Sequence, residues 1–282
     1  MRAKADDIID RAFQASMAEG PNGPPPESWV AMMNQPQGPA LSLFLQRLLR
    51  RSDLTGEEQQ AILCLTGTEH QYRPHEDIVR PGERVESACL IAKGLVARYD
   101  QRLDGRRQIT SFYIAGDMCD LHSVVAPKAS WSITAISDAR IIRVSHHQLG
   151  KLCVDDPGLA LAFWRDCTVD ASIFAKWVGN LGRKSAKERI AHLFCEMGLR
   201  MEAAGLGTRQ AFELRATQEQ LGEATGLTAV HVNRTLQEIR TQGLVAVDRG
   251  HIQIPDWNAL AATAEFDPSY LILEGAAKRI LS

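Results

Sequence analysis

The sequence predicts an α+β chain: an antiparallel β jelly-roll or barrel in the N-terminal half, then one long helix, then a small helical domain ending in a β-hairpin. Three observations lead there. Short β-type segments separated by glycine turns follow one another between residues 77 and 144. From His146 onward the apolar period becomes helical and stays so. Near residue 226 two short helical patterns meet at a glycine, and a hairpin pattern follows them.

Taken in order, residues 1–40 read as a flexible extension. Ile9, Phe13 and Met17 would share one face of a short helix over residues 1–18. Half of the chain's 12 prolines then fall at Pro21, Pro24, Pro25, Pro26, Pro36 and Pro39, a stretch that cannot bury a core. Leu41, Phe44, Leu45, Leu48 and Leu49 make an amphipathic helix face, and Leu54-Thr55-Gly56-Glu57-Glu58 starts a second helix. Strands are expected at Asp77–Val79, Ala88–Ile91, Leu95–Tyr99, Arg107–Tyr113, Ser132–Ile136 and Arg140–Val144. Their turns fall at Pro81-Gly82, Lys93-Gly94, Asp104-Gly105 and Gly116-Asp117. Residues 41–150 are therefore assigned to the barrel.

Residues 151–184 are expected to form a long dimerisation helix. Phe163, Asp170 and Trp177 repeat by seven. Cys167, Phe174 and Leu181 repeat alongside them, which together makes an a/d-type seam. Residues 185–256 are read as a terminal helical domain with a hairpin, and 257–282 are left as a C-terminal tail.

Composition narrows the function. The formal net charge of -2 argues against a non-specific basic coat on nucleic acid, although residues 182–252 hold ten Lys/Arg against eight Asp/Glu. No apolar run is long enough to span a bilayer. Asp6, Asp7 and Asp10 interrupt the region where a signal peptide would need an apolar core, so a cytoplasmic protein with no membrane partner is expected. The six cysteines (Cys64, Cys89, Cys119, Cys153, Cys167, Cys195) have no metal-ligand spacing. They read as small buried hydrophobes, with a redox-sensing thiol as the alternative. No metal or other cofactor is called for.

The chemistry-bearing stretch is Ala216 to Val245. Thr217 is a capping residue with Gln220 at the third helical position. Leu221 and Ala224 face inward, Gly226 ends the helix, and Leu227 plugs the angle. Thr228 caps a second helix whose inward positions are Val232, Leu236 and Ile239. Its outer face carries Ala229, Val230, His231, Asn233, Arg234 and Gln237. Arg can take guanine bidentately, Asn or Gln can take adenine, and Ala or Val can touch a thymine methyl. Thr217, Gln218 and Thr228 sit where helix starts meet phosphates. Leu244–Val247 and His251–Ile254 flank Asp248-Arg249-Gly250, the hairpin expected of a wing. The whole is a winged helix-turn-helix.

From about Leu41 to the C-terminus the sequence resembles the Crp/Fnr family of bacterial transcription regulators, in a branch found in alphaproteobacteria. Leu227-Thr228-Ala229-Val230-His231-Val232-Asn233-Arg234-Thr235-Leu236-Gln237 carries most of the likeness. Gly116-Asp117-Met118-Cys119-Asp120-Leu121-His122-Ser123, Asn180–His192 and Glu265–Leu271 add to it. The resemblance implies a cyclic-nucleotide-binding-type sensor barrel, a homodimer on a pseudo-palindromic double-stranded DNA operator, and action through RNA polymerase. It makes Val230 and Arg234 the base-reading positions, and Val230 stands where the family often has a charged residue. In the barrel it points to an effector pocket near Gly116, Asp117, Leu121 and Ser130. Members that bind cyclic AMP hold the ribose with a Glu and the phosphate with an Arg-Ser pair. Those positions fall here on Leu121 and on Ala129-Ser130. Unpaired buried polar groups cost roughly 1–3 kcal/mol each, so cyclic AMP is expected to bind poorly and the effector is unknown. Arg106, Arg107 or Lys128 could supply the missing charge.

Two other readings remain. One is a small-molecule sensor whose DNA binding obligatorily needs its ligand. The other is a cupin-like metal enzyme, which would need two histidines two apart on a strand. His146 and His147 are adjacent, and no enzyme is expected.

Overall fold

The computed structural model describes residues 37–273. Helix α1 (Gly38–Leu49) opens with Pro39 in its first turn, where a missing N–H costs nothing. Gly38, Pro39 and Ala40 thus belong to the sensor domain rather than to the extension, and the helix expected over residues 1–18 lies outside the described residues. α1 buries Leu41, Phe44, Leu45 and Leu48, with Phe44 packed on Phe163 at 6.1 Å between ring centroids. Helix α2 (Gly56–Leu63) starts at Thr55 in a reciprocal capping box with Glu58.

Seven strands follow: β1 (Gly67–Tyr72), β2 (Asp77–Val79), β3 (Ser87–Lys93), β4 (Val96–Gln101), β5 (Arg107–Tyr113), β6 (Ser132–Ala135) and β7 (Ala139–Ser145). They form two antiparallel sheets, ordered β1-β7-β3 and β2-β6-β4-β5. Ile91, Val96, Tyr113, Ile133 and Ile141 fill the space between them. Strand β1 was not expected. Its residues, Gly-Thr-Glu-His-Gln-Tyr, are mostly exposed and show no apolar alternation. It is held by edge pairing to β7, from Gly67↔Val144 to Tyr72↔Ala139.

The helical stretch after the barrel is broken where continuity was expected. Helix α3 (His146–Asp155) ends, and α4 (Pro157–Arg183) begins afresh with Asp156 as its cap and Pro157 in its first turn. His146 and His147 open α3 and lie on no strand. Helix α5 (Ala186–Ala203) is capped by Ser185 and Glu188. Strand β8 (Ala211–Glu213), helices α6 (Gln218–Thr225) and α7 (Ala229–Thr241), and strands β9 (Ala246–Asp248) and β10 (His251–Gln253) complete the DNA-reading unit. Its small sheet is ordered β8-β10-β9.

The chain does not then trail off as a tail. Helix α8 (Trp257–Ala264) and a 3-10 turn (Pro268–Leu271) pack back on the domain, with Leu260, Ala264 and Leu271 fully buried. Tyr270 Oη donates to Glu196 of α5 at 2.8 Å, and the rings of His192 of α5, Phe266 and Tyr270 cluster in mutual contact. Alternating Leu-Ala-Ala-Thr-Ala residues carry little size, which is why this helix was not legible as core. Of the cysteines, Cys89, Cys119 and Cys195 are buried, but Cys64 is exposed and Cys153 and Cys167 are half-buried.

Candidate nucleic-acid interface and sensor cavity

The turn between α6 and α7 is built from short-range chemistry. Thr217 Oγ1 accepts from Gln220 N at 3.2 Å, and Gln220 Oε1 accepts from Thr217 N at 2.8 Å. Gly226 adopts φ 66°, ψ 35°, the left-handed region that glycine enters at least cost. Thr228 Oγ1 accepts from His231 N at 3.2 Å and opens α7. A second glycine is needed for a different reason. A Cβ on Gly222 would lie 2.5 Å from the Leu227 carbonyl oxygen, so the two helices cross this closely only because no side chain intervenes. Gly222→Ala is expected to cost about 1–3 kcal/mol of stability, measured by denaturant unfolding, and to weaken operator binding. An unchanged midpoint would show that the crossing can relax.

This geometry buries Val232, Thr235 and Ile239 of α7 and leaves Leu236 partly buried. Thr235 joins the inward face, where its hydroxyl donates to the His231 carbonyl at 2.9 Å. Ala229, Val230, Asn233, Arg234 and Gln237 are exposed together on the opposite face, and His231 is half-buried at its edge. Val230 stands 80% exposed, an apolar side chain with nothing of its own chain to cover it. Thr217, Gln218 and Thr228 are exposed at the two helix starts. Asn233 Nδ2 donates to Gln218 Oε1 at 3.1 Å, which ties the reading helix to its support. Two positioning residues were missed in the sequence. Arg189 of α5 donates to the Thr225 carbonyl at 2.7 Å and to the Lys184 carbonyl at 3.0 Å, which fixes the end of α6. Arg249, at φ 47° in the wing turn, is an exposed cation beyond β9.

A cavity of about 660 Å³ lies between the β2-β6-β4-β5 sheet and α4. Leu121 and Ser130 line it, as expected. Gly116 and Asp117 do not. Gly116 turns beneath Leu43, and Asp117 is buried in an ion cluster on the other side of the sheet end. Arg106 pairs with Asp104 in the β4–β5 turn and Arg107 stacks on Tyr99, so neither supplies the cavity's charge. Two arginines border the cavity: Arg47 of α1, paired with Asp117 and Asp166, and Arg98 of β4, which lies 4.9 Å over the Trp131 ring and donates to Asp170 of α4 at 2.8 Å. A lone arginine on a strand gives no sequence signal of what it faces. Among the described residues there is no group of three or more His, Cys, Asp or Glu side chains placed to hold a metal ion.

Most of the six residues expected to make the seam of α4 pack within the chain itself. Phe163 and Trp177 are buried in the chain's own core; Trp177 meets Phe112 edge-on at 5.9 Å and donates to Glu196 at 3.0 Å. Cys167 is half-buried against the α1–α2 core, Asp170 is held by the barrel, and Leu181 packs over Gly226. Of the six expected positions only Phe174 keeps a largely open side chain, 43% exposed. The face left uncovered is turned by one residue: Trp164, Thr168, Ala171, Ala175, Val178 and Gly182, at alternating spacings of four and three.

Two family descriptions match this chain. Residues 188–263 match the Crp-like helix-turn-helix domain, and residues 69–156 match the cyclic nucleotide-binding domain. The nitrogen fixation regulation protein FixK of Azorhizobium caulinodans is 25% identical over 196 residues, 70% of this chain and 78% of that protein. The crystallised FixK2 of Bradyrhizobium japonicum superposes with a TM-score of 0.64 at 28% identity, over 76% of this chain and all of that one. The chain belongs to the Crp/Fnr family. The fumarate and nitrate reduction regulatory protein of Escherichia coli is similarly matched, 24% identical over 67% of this chain and 75% of its own length.

As a Crp/Fnr regulator the chain is a DNA-binding transcription regulator and not an enzyme. Helix α7 lies within the residues that match the helix-turn-helix domain. Among the described residues no helix is long and apolar enough to cross a membrane.

Proposed function

We propose that this Crp/Fnr regulator acts as a homodimer that reads a two-fold-symmetric operator with α7, works through RNA polymerase, and binds DNA without cyclic AMP. The observation that carries the reading is the outer face of α7. Arg234, Asn233 and Gln237 are exposed beside the apolar Val230 and Ala229, a mixture that suits base edges and thymine methyls. The exposed seam of α4 supports the dimer, since two half-sites require two reading helices at fixed spacing. Independence from cyclic AMP is supported by the cavity. Leu121 borders it where the resemblance would put a ribose-holding carboxylate, and both guanidiniums that border it, Arg47 and Arg98, already have counter-charges.

Selection of bound sequences from a random DNA pool, with no ligand added, tests this. An enriched palindromic site supports the dimer, the reader and ligand independence together. Enrichment only when cyclic AMP is added would overturn the last of these. Arg234→Ala is expected to lose about 1–3 kcal/mol of specific binding at one base pair per half-site. An equal loss on operator and on random DNA would place Arg234 on phosphate instead. The second reading, obligatory gating by another small molecule, is favoured by the size of the cavity, which could hold a nucleotide-sized ligand.

A further inference from the structure

The cavity is bordered by a buried arginine of the barrel whose ion-pair partner comes from outside the barrel. Arg98 lies in the middle of β4, opposite Ser111 of β5 and Ile133 of β6, and its side chain is only 6% exposed. Its Nε reaches Thr110 Oγ1 at 3.3 Å, and its guanidinium lies over the faces of Trp131 and Tyr113. None of these partners carries a negative charge, and a buried cation without one is strongly disfavoured. The charge arrives from the long helix. Asp170 Oδ2 accepts from Arg98 Nη1 at 2.8 Å, and Asp170 Oδ1 accepts from Tyr113 Oη at 2.9 Å. Burial, with the Asp170 carboxylate beside it, pushes the Tyr113 phenol well above its usual range, so it stays an O–H donor at neutral pH.

We propose that Asp170 is a built-in anion: it fills the barrel's carboxylate site in place of a ligand and so sets the rotation of α4 against the sensor domain. Both carboxylate oxygens are held, one by each of two neighbouring strands. The next residue, Ala171, lies on the exposed seam and also borders the cavity. A grip at Asp170 therefore fixes which face of α4 is presented to a second copy. This is the place where an effector would act in a gated sensor, and here the chain itself provides the acid. The inference deepens the reading of ligand-independent DNA binding and rests on it.

The test uses the full chain with Asp170→Ala, which removes the carboxylate and leaves Arg98 and Tyr113 facing an enlarged cavity. The variant is expected to bind the selected operator at least ~10-fold more weakly than the parent, as loss of a charge-assisted contact implies. Sodium formate or acetate is expected to restore affinity and to raise the melting temperature, while sodium chloride at the same ionic strength does neither. Asp170→Glu is expected to retain most of the affinity. Two results would overturn the proposal: unchanged operator affinity in Asp170→Ala, or a response to formate and acetate no greater than that to chloride. Should the alanine variant not fold, Asp170→Asn keeps the volume and is expected to lose affinity likewise; parental affinity there overturns the proposal equally. The melting-temperature readout involves no DNA. A parent that binds no DNA without ligand would sink the ligand-independent reading alone, and carboxylate rescue of Asp170→Ala stability would still report on the anion site.

Discussion

Replacing Trp164 and Val178 together by glutamate is expected to yield a folded monomer that has lost high-affinity operator binding. Trp164 is 70% exposed and Val178 53% exposed on the same stripe of α4, two heptads apart. Large apolar side chains this open, in a row along 27 residues of helix, leave an uncovered patch of the kind that marks an interface. Two glutamates on each copy would place like charges across a two-fold interface and desolvate them, which the association cannot offset. The folded monomer should survive because neither side chain contributes to the chain's own core. Sedimentation velocity reads the mass and anisotropy reads the DNA. With one reading helix instead of two, affinity should fall by at least ~10³-fold, toward the non-specific level. A variant that sediments as the parent does would rule out this face as the dimer contact.

The contrast with Trp177→Glu separates interface from core. Trp177 is 5% exposed, packed on Phe112 and bonded to Glu196. A charge there should destabilise the fold by at least the about 3–5 kcal/mol typical of losing a buried tryptophan, and not simply release a monomer. The seven-residue repeat in the sequence was real but ambiguous in phase. On a helix covered on one side by its own barrel, two apolar stripes run side by side. The stripe with the larger residues, Phe163 and Trp177, went to the intramolecular core. The stripe with Trp164, Ala171 and Val178 stayed exposed. Spacing alone does not distinguish them, because both satisfy the same period.

The DNA-reading unit was legible for the opposite reason. Its shape depends on contacts within four residues: the Thr217–Gln220 capping box, the left-handed Gly226, the Thr228 cap. Local chemistry of this sort is written in the sequence itself. Strand β1 was invisible because its edge position needs no apolar alternation, and helix α8 because alanine-sized residues fill a narrow gap. The sensor site was half legible. Leu121 and Ser130 follow from counting along the chain, but Arg98 meets Asp170 across 72 residues, and Asp117 turns away from the cavity to Arg47 and Arg200, on two helices far apart in the sequence.

Those partners make Asp117 the second position of large expected effect. Its Oδ1 accepts from Arg47 of α1 at 2.5 Å. Its Oδ2 accepts from Arg200 of α5 at 2.8 Å and from the Ile114 amide at 3.0 Å. Arg200 donates in turn to the Phe112 carbonyl and to Glu196, while Arg47 reaches on to Asp166 of α4. One barrel carboxylate therefore joins the N-terminal helix, the long helix and the DNA-reading domain. Burial opposes its charge, but the two guanidiniums outweigh burial and hold the carboxyl below its usual range. Asp117→Asn leaves two buried cations short of a counter-charge and should cost about 3–5 kcal/mol near neutral pH, the usual penalty for breaking a buried pair. Because the folded state lowers this carboxyl, its stabilisation is fully present above the unfolded value of about 3.9 and is lost as pH falls through the folded one. The stability gap between parent and Asp117→Asn should accordingly be widest near neutral pH and narrow in acid, as protonation makes the parent resemble the variant. Guanidinium unfolding at a series of pH values measures it. A gap that stays constant into acid would mean that Asp117 acts through shape and hydrogen bonding, and that its charge does not hold the two domains together.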